Sequence, residues 1–227
     1  MPDIAYHFNK YERGFSKMVN IFGADHSGYI ARMKAAVKAI TNDKANLEIK
    51  TCQLVRLSRA GKPVKMSKRS GSFITLNELI DEVGKDAVRF MMVSRKNDAQ
   101  LDFDFEIFKN ENNDNPIFYI QYANARINSL IRNSKDKLGI KIKEKDLIQS
   151  DLNLLKNINE RKIIFQIANF PRIIEQSAIF MEPHRLSYYL RDLASVFHQY
   201  WNLKVNDRRI QILDKKDIDL SLSLIHI

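Results

Sequence analysis

Residues 18–40 read MVNIFGADHSGYIARMKAAVKAI, and this stretch decides the fold of the first half of the chain. Its first five residues are mostly apolar, which predicts a buried strand at 18–22. A turn follows at Gly23. Apolar residues then recur at helical spacing, at Ile30, Met33, Val37 and Ile40. A strand, a tight turn and a helix in this order place Asp25 and His26 at the mouth of a βα unit, where open α/β sheets bind ligands.

A second informative stretch is Lys65–Gly71, which reads KMSKRSG. Two lysines flank a Met-Ser pair, and a glycine follows within three residues. A flexible loop of this kind can bring both ammonium groups onto one polyphosphate, each as a compact point charge. Preorganised cations stabilise the charge that develops during phosphoryl chemistry. The alternative interpretation is an exposed basic loop with no chemical role.

Two further segments extend the α/β pattern. Residues 52–57 (CQLVRL) are predicted as a second strand, after which Gly61 and Pro63 turn the chain toward the KMSKRSG loop. Residues 101–105 (LDFDF) alternate apolar and acidic side chains, as in an edge strand or an extended connector.

The segment between them carries residues typical of helix boundaries. Thr75 is a suitable N-cap, and Glu78 three residues later completes a capping box. Gly84 stands where a C-terminal cap belongs. A second short helix is predicted at 85–93.

Beyond about residue 107 the sequence pattern is helical throughout. Asn115 is a suitable N-cap, with Pro116 at the first helical position. The Lys-rich residues 133–150 are less regular, and we predict a mobile connection there. Further helices are predicted at 151–168, 171–181 and 184–203.

These patterns predict a two-part chain of 227 residues. Residues 1–106 form an α/β remnant, and residues 107–227 form an all-α helical bundle. Hydrophobic residues make up 44% and charged residues 28%, as in ordinary globular proteins. The net charge is +10, from 37 Lys and Arg against 27 Asp and Glu, with a pI near 9.6. This excess of positive charge favours a polyanionic partner.

The composition argues against several classes of protein. No apolar run approaches the roughly 20 residues of a membrane span, and the N-terminus has no charged-then-apolar export leader. The single Cys52 excludes an internal disulfide and a multi-cysteine zinc site. The five histidines lie far apart, without metal-ligand spacing, so no metal held by protein side chains is predicted. We expect a cytoplasmic protein with no membrane partner.

Five segments resemble motifs of the arginyl-tRNA synthetases, a family of class I aminoacyl-tRNA synthetases. The resemblance is dense over residues 1–132 and looser beyond them. It implies that residues 1–106 are the second half of a Rossmann-like nucleotide-binding domain with its KMSKS loop. It also implies that residues 107–227 are an anticodon-binding bundle of the DALR type, incomplete at its C-terminus. The segments are Asp3–His7 (DIAYH) with Lys10 and Arg13–Phe15 (RGF), Gly23–Tyr29 (GADHSGY), Lys65–Gly71 (KMSKRSG), Asp86–Phe90 (DAVRF) and Asn115–Ile127 (NPIFYIQYANARI).

The resemblance implies a reaction. ATP and L-arginine would form arginyl-adenylate, and the arginyl group would then pass to the 3′-terminal ribose of tRNA(Arg). Lys65 and Lys68 would be the catalytic residues that steady the pyrophosphate, with Lys68 the stronger transition-state contact. ATP is the implied cosubstrate, together with Mg²⁺. The implied ATP-binding residues are Gly23, Asp25, His26, Lys65, Met66, Ser67 and Lys68.

Other residues would contact L-arginine and tRNA(Arg). Asp3 matches an acidic residue that pairs with the substrate guanidinium, which suits a bidentate carboxylate. The protein is expected to act as a monomer. The predicted tRNA contacts are Tyr122, Arg126, Arg132 and Trp201. As alternatives, the two aromatic residues would be core residues, and the two arginines would be solvated helix charges.

The nucleotide side has structural alternatives too. Asp3 could be a frayed terminal charge, and Asp25 could cap the following helix. His26 would be a polar contact rather than a general base, because the chemistry needs no side-chain base at that point.

The sequence also departs from the family. It has no H-x-G-H element, whose histidines bind ATP phosphates in class I synthetases, and His26–Tyr29 is only superficially similar. Because the family continues at both ends, the chain is expected to be an interior fragment that is inactive alone. Residues 220–227 match no segment of the family and are interpreted as a cloning or sequencing scar.

Two other functions stay open at this point. A non-catalytic tRNA-binding module would keep the fold without the chemistry, which agrees with the missing H-x-G-H element. A cysteinyl-tRNA synthetase would share the helical bundle, but it holds its substrate at a cysteine-rich zinc site, and the chain has only Cys52.

Overall fold

The computed structural model describes residues 2–64, 74–206 and 211–227, and gives only the backbone for residues 204–206. It separates into two units, one of residues 1–74 and 91–105, the other of residues 75–90 and 106–227. Residues 75–90 therefore belong with the second unit, whereas the sequence suggests a single boundary after residue 106. That boundary stays a prediction.

The first unit contains two small sheets and the helices that flank them. Its elements are α1 (Pro2–Glu12), β1 (Lys17–Gly23), a 3₁₀ helix (Ala24–Tyr29), α2 (Ile30–Ile40), β2 (Asn46–Cys52), β3 (Val55–Arg59), β4 (Lys62–Pro63) and β5 (Leu101–Asp104).

The predicted βα unit at residues 18–40 is confirmed. β1 pairs in parallel with β2, from Lys17 opposite Asn46 to Gly23 opposite Cys52. Parallel strands need a crossover connection, and α2 supplies it. The inner face of α2 presents side chains that are almost fully buried. The cluster between helix and strands contains Met18, Met33, Val37 and Leu47.

The prediction of one strand at 52–57 is wrong. Cys52 ends β2, and β3 begins at Val55. The break has a physical reason, because the two strands belong to different sheets: β2 bonds to β1, whereas β3 lies between β4 and β5. Leu54, in the break, is 78% exposed.

The three-stranded sheet has the order β4-β3-β5, so the edge strand predicted at 101–105 is confirmed. β3 and β4 form a tight hairpin whose two turn residues, Ala60 and Gly61, have φ of 49° and 74°. A two-residue turn with both φ positive matches the right-handed twist of the strands. The Asp104 carboxylate holds this turn by accepting hydrogen bonds from the backbone N–H groups of Ala60 (3.1 Å) and Gly61 (2.7 Å).

The second unit is helical, as predicted. Its elements are α3 (Leu76–Val83), α4 (Lys85–Val93), α5 (Phe105–Lys109), α6 (Pro116–Leu138), α7 (Glu144–Ile148), a 3₁₀ turn (Leu152–Leu154), α8 (Ile158–Ala168), α9 (Phe170–Phe180), α10 (His184–Asn206) and α11 (Ile218–His226). The end of α4 and the first residue of α5 are counted with the first unit.

The predicted ends of α3 and the predicted start of α6 are confirmed. The Thr75 hydroxyl accepts from the Glu78 N–H at 3.2 Å, and the Glu78 carboxylate accepts from the Thr75 N–H at 2.7 Å. Gly84 ends α3 with φ of 87°. Asn115 caps α6 by accepting from the N–H groups of Ile117 and Phe118.

The predicted mobile connection at 133–150 is wrong over most of its length. α6 continues to Leu138 and is capped by Gly139, whose φ of 76° lies in the left-handed region that favours glycine. α7 then occupies Glu144–Ile148. The helix predicted at 151–168 starts only at Ile158, because Asn157 is its N-cap. α9 and α10 agree with the predicted helices to within a few residues.

The core of the second unit joins residues from α8, α10 and the C-terminal segment. It contains Leu155, Ile163, Tyr200, Ile212 and Leu224. No helix within residues 2–64, 74–206 or 211–227 combines the length and the apolar character that a membrane crossing requires.

Candidate functional site

The predicted nucleotide side lies at the carboxyl edge of the β1–β2 pair. β1 ends at Gly23, opposite Cys52 at the end of β2. Because the two strands are parallel, both carboxyl ends meet at this edge, and the 3₁₀ helix with Asp25 and His26 begins there. The structure therefore brings together three residues that the sequence predicts to bind ATP.

Asp25 and His26 are both open to solvent. Their side chains are 80% and 65% exposed, and the Asp25 Oδ2 lies 3.6 Å from the His26 Nε2. The His26 ring also lies 6.1 Å from the ring of Phe22. Among the described residues, Asp25 accepts no backbone hydrogen bond, so the alternative of a helix cap is not observed. The carboxylate is left able to accept hydrogen bonds from hydroxyl groups of a ligand.

Gly23 lies close to the Asp25 carboxylate and has no backbone strain. Its φ of −64° and ψ of 151° are ordinary for any residue. A Cβ built on Gly23, however, would collide with the Asp25 carboxylate. Gly23 therefore allows the carboxylate to fold back over the end of β1.

Asp3 lies in the first turn of α1 and is exposed. Its carboxylate has no described hydrogen bond or ion pair with another residue of the first unit. Its backbone oxygen accepts a hydrogen bond from His7 Nδ1 at 2.6 Å. The Nε2 of His7, which is 4% exposed, lies 2.8 Å from Asn20 Nδ2 in β1.

His7 and Asn20 thus attach the N-terminal helix to β1, and sequence reasoning missed both. The carbonyl of Asp3 accepts a hydrogen bond, so His7 Nδ1 donates to it. His7 closes the DIAYH motif, which was the available signal for it.

The predicted catalytic loop lies outside the described residues. Lys65, Met66, Ser67 and Lys68 fall in the stretch 65–73. The described chain reaches this stretch through β4 and Val64, whose N–H donates to the Leu57 carbonyl at 2.9 Å.

The second unit brings together three of the four predicted tRNA contacts. Arg126 on α6 donates from Nη2 to the Tyr122 hydroxyl at 3.1 Å. Its guanidinium carbon lies 4.2 Å from the Tyr122 ring centroid and 5.1 Å from that of Trp201 on α10. Guanidinium groups are attracted to aromatic faces at these distances. Tyr122, Arg126, His198 and Trp201 are called the Arg126 cluster below.

His198 is the member of the Arg126 cluster that sequence reasoning missed. It is 6% exposed, and its Nε2 donates to the Tyr119 carbonyl at 2.9 Å. Its Nδ1 lies 3.0 Å from Arg126 Nη1. Burial lowers the pKa of His198, the hydrogen bond to the Tyr119 carbonyl raises it, and the nearby Arg126 charge lowers it, with a net decrease. The available signal was its place in an aromatic run, between Phe197 and Tyr200.

Tyr122 is 41% exposed, so it is not a core residue. Arg126 and Trp201 are half-buried. Trp201 also packs against the core of the second unit, so the core alternative agrees with its position, whereas Tyr122 is exposed beside Arg126. Exposed aromatic rings and arginine are the groups on which unpaired bases stack.

Arg132 is not part of the cluster. It is exposed, and six residues of α6 separate it from Arg126, which places it on a different side of the helix. It makes no hydrogen bond or ion pair with the residues that the structure describes. The alternative of a solvated helix charge agrees with this position.

The described ranges contain no group of three or more His, Cys, Asp or Glu side chains placed to hold a metal ion.

Known proteins resemble this chain over both of its units. Residues 120–226 match the model of the DALR anticodon binding domain. The chain is 50% identical over 222 residues to an arginine–tRNA ligase of Parvibaculum lavamentivorans, and 47% identical over 221 residues to one of Brucella anthropi. Each match covers 97% of this chain and 38% of the relative, so the chain spans well under half the length of the curated relatives it matches.

Solved structures show the same fold. A crystal structure described as an arginyl-tRNA synthetase of Campylobacter jejuni has a TM-score of 0.83 and 34% identity, over 98% of this chain and 46% of that one. The arginyl-tRNA synthetase of Thermus thermophilus has a TM-score of 0.64 and 21% identity, over 93% of this chain and 38% of that one. The predicted fold class, an α/β remnant followed by a helical bundle, is confirmed. The prediction that residues 220–227 match no segment of the family is wrong for residues 220–226, which the model of the DALR anticodon binding domain includes, and Leu224 belongs to the core of the second unit.

Proposed function

Because this chain belongs to the arginyl-tRNA synthetase family, we propose that it supplies part of an arginine–tRNA ligase. In this reaction ATP and L-arginine form arginyl-adenylate, and the arginyl group passes to the 3′ end of tRNA(Arg). The observation that carries the proposal is the identity to arginine–tRNA ligases over almost the whole chain. The protein would work as a monomer in the cytoplasm.

The first unit would bind the substrates of activation. The Asp25 carboxylate at the end of β1 is free to accept from the ribose hydroxyls of ATP, with Gly23 leaving room for it and His26 beside it. Asp3 would pair with the guanidinium of L-arginine. In the sequence that follows β4, Lys65 and Lys68 would steady the pyrophosphate, with Met66 and Ser67 between them.

The second unit would bind tRNA(Arg) through the Arg126 cluster, with Arg132 as a separate contact on another side of α6. The support is geometric, since a surface guanidinium stacks between Tyr122 and Trp201. The net charge of +10 adds a general attraction for RNA.

A chimera tests the ligase proposal. The chain would replace the matching segment of the Parvibaculum lavamentivorans ligase, which is 50% identical to it. We expect this chimera to form arginyl-adenylate and to charge tRNA(Arg). Lys68→Ala in the chimera should lower the rate of adenylate formation about a hundredfold while arginine affinity changes little, because one well-placed transition-state contact is worth about 3 kcal/mol.

Lys44→Ala is the matched control. It removes the same charge from an exposed residue that precedes β2, at the amino edge of the β1–β2 pair. Its single-turnover activation rate should stay that of the unmodified chimera. Equal rates of adenylate formation in Lys68→Ala and Lys44→Ala would show that the KMSKRSG loop is only a basic surface. Failure of the unmodified chimera to activate arginine, with tRNA binding retained, would favour the non-catalytic tRNA-binding module.

A further inference from the structure

The buried side of the Arg126 cluster is occupied by one histidine with two different partners. His198 Nε2 lies 2.9 Å from the Tyr119 carbonyl oxygen, and Nδ1 lies 3.0 Å from Arg126 Nη1. The imidazole also packs against aromatic rings of α6, at 4.5 Å from Tyr119 and 5.8 Å from Tyr122. Both ring nitrogens are therefore engaged with α6, although His198 belongs to α10.

These partners determine the protonation state of His198. A carbonyl oxygen only accepts hydrogen bonds, so Nε2 carries a proton. A guanidinium only donates, so Nδ1 carries none. Only the neutral imidazole with its proton on Nε2 satisfies both contacts. The burial that lowers the pKa of His198 favours the same neutral form.

The contact with His198 restricts the guanidinium of Arg126. One Nη1 proton is donated to His198 and one Nη2 proton to the Tyr122 hydroxyl, while the plane lies near the Tyr122 and Trp201 rings. A guanidinium has five N–H donors, so three stay available to a ligand. A long side chain that is already fixed loses less conformational entropy on binding than a mobile one.

We propose that His198 is a positioning residue for tRNA binding, which holds the Arg126 guanidinium through Nδ1 so that its remaining donors meet an acceptor oxygen of the RNA. The inference rests on the proposed tRNA binding by the Arg126 cluster. His198 itself is buried and does not touch the RNA. If His198 served only to pack α10 against α6, its Nε2 bond to the Tyr119 carbonyl would be needed, but the acceptor at Nδ1 would not.

Two substitutions separate the two contacts of His198. In His198→Asn, the amide oxygen can stand near the position of Nδ1 and accept from Arg126, while the bond to the Tyr119 carbonyl is lost. In His198→Gln, the longer side chain places its amide nitrogen near the position of Nε2 and keeps the Tyr119 bond, while the Nδ1 acceptor is lost. A packing role predicts that Gln is the milder change, whereas positioning of Arg126 predicts that Asn is the milder one.

A double-mutant cycle on the full chain tests the proposal, with binding of a tRNA(Arg) transcript as the readout and thermal unfolding as the check on folding. We expect Arg126→Ala to weaken binding about tenfold and His198→Gln to weaken it nearly as much. In the His198→Gln background, Arg126→Ala should then weaken tRNA binding by less than about twofold, because the guanidinium is no longer positioned. His198→Asn should bind within about threefold of the unmodified chain.

The cycle separates the inference from the function on which it rests. If Arg126→Ala weakens tRNA binding by the same factor with His198 and with His198→Gln, His198 does not position the arginine. The proposal that the Arg126 cluster binds tRNA would still stand. If Arg126→Ala has no effect on tRNA affinity, the proposed role of the Arg126 cluster fails first. A flatter salt dependence in Arg126→Ala assigns the acceptor to a phosphate, and an unchanged salt dependence assigns it to a base.

A measurement on the unmodified chain covers the case in which the His198 variants do not fold. The ¹⁵N resonances of the His198 ring at pH 7 should report an unprotonated Nδ1 and a protonated Nε2. Addition of tRNA should leave that tautomer unchanged. An imidazolium, or a proton on Nδ1, would overturn the proposal, because neither form can accept from Arg126.

Discussion

Arg126 and Asp25 are charged side chains with very different surroundings. Arg126 is fixed by His198, the Tyr122 hydroxyl and two aromatic rings before any ligand arrives. Asp25 is 80% exposed, and its described contact is His26 at 3.6 Å. Arg126 is therefore held by several neighbours, whereas the Asp25 carboxylate has one described contact, with His26. Gly23 is what leaves the Asp25 carboxylate room at the strand end.

Gly23→Ala tests this role of glycine. The added Cβ should push the Asp25 carboxylate from its position, because the two would collide. In the chimeric ligase we expect about a tenfold loss in the rate of adenylate formation, since small misplacements of a substrate-positioning group can cost up to about a hundredfold. The unfolding temperature should hardly change, because alanine tolerates the φ of −64°.

Gly28→Ala is the matched control for this experiment. It lies in the same 3₁₀ helix, and a Cβ there would meet no atom within 4 Å. Its activation rate should equal that of the unmodified chimera. Equal losses in both variants would mean that the helix responds to alanine in general, and that the Asp25 position is not the cause.

Helices and strands differ in how far the sequence predicts them. Both ends of α3 and the start of α6 follow from local capping residues, so Thr75, Glu78, Gly84 and Asn115 predict them correctly. Sequence reasoning missed β2, although Leu47 and Ile49 alternate with polar residues as in a half-buried strand, and pairing with β1 determines its place. Pairing between distant strands leaves no local trace in the sequence.

We expect the Asn115 cap of α6 to contribute more to the free energy of unfolding than an ordinary helix cap does. Asn115 is 6% exposed, and its amide nitrogen also donates to the backbone oxygens of Phe108 and Asn110, both at 3.0 Å. Asn115→Ala should lower the free energy of unfolding by about 2–3 kcal/mol, because it removes the cap and leaves a buried carbonyl without its partner.

Asn115→Ser and Thr75→Ala calibrate that prediction in urea unfolding. Serine keeps a cap acceptor and loses the amide donors, so its loss should be intermediate. Thr75→Ala removes an exposed cap and should cost about 1 kcal/mol. An Asn115→Ala loss no larger than that of Thr75→Ala would show that the bonds to Phe108 and Asn110 contribute nothing.

For the whole molecule, the sequence predicts the class of fold and the location of the candidate residues better than their contacts. Tyr122 and Arg126 are four residues apart on one helix, so their pairing is local. His198 and Arg126 are 72 residues apart, and only the packing of α10 on α6 brings them together. A lone histidine in an aromatic run gives no sign of such a partner.

We propose above that this chain binds tRNA through Lys and Arg contacts together with the Arg126 cluster. The affinity of the 227-residue chain for tRNA(Arg) can be measured at salt concentrations from about 50 to about 200 mM. We expect saturable binding that weakens steeply and linearly on a log–log plot, with Arg126→Ala about tenfold weaker at the lowest salt. If binding is absent at the lowest salt, or does not change across the series, the chain does not bind tRNA in this way.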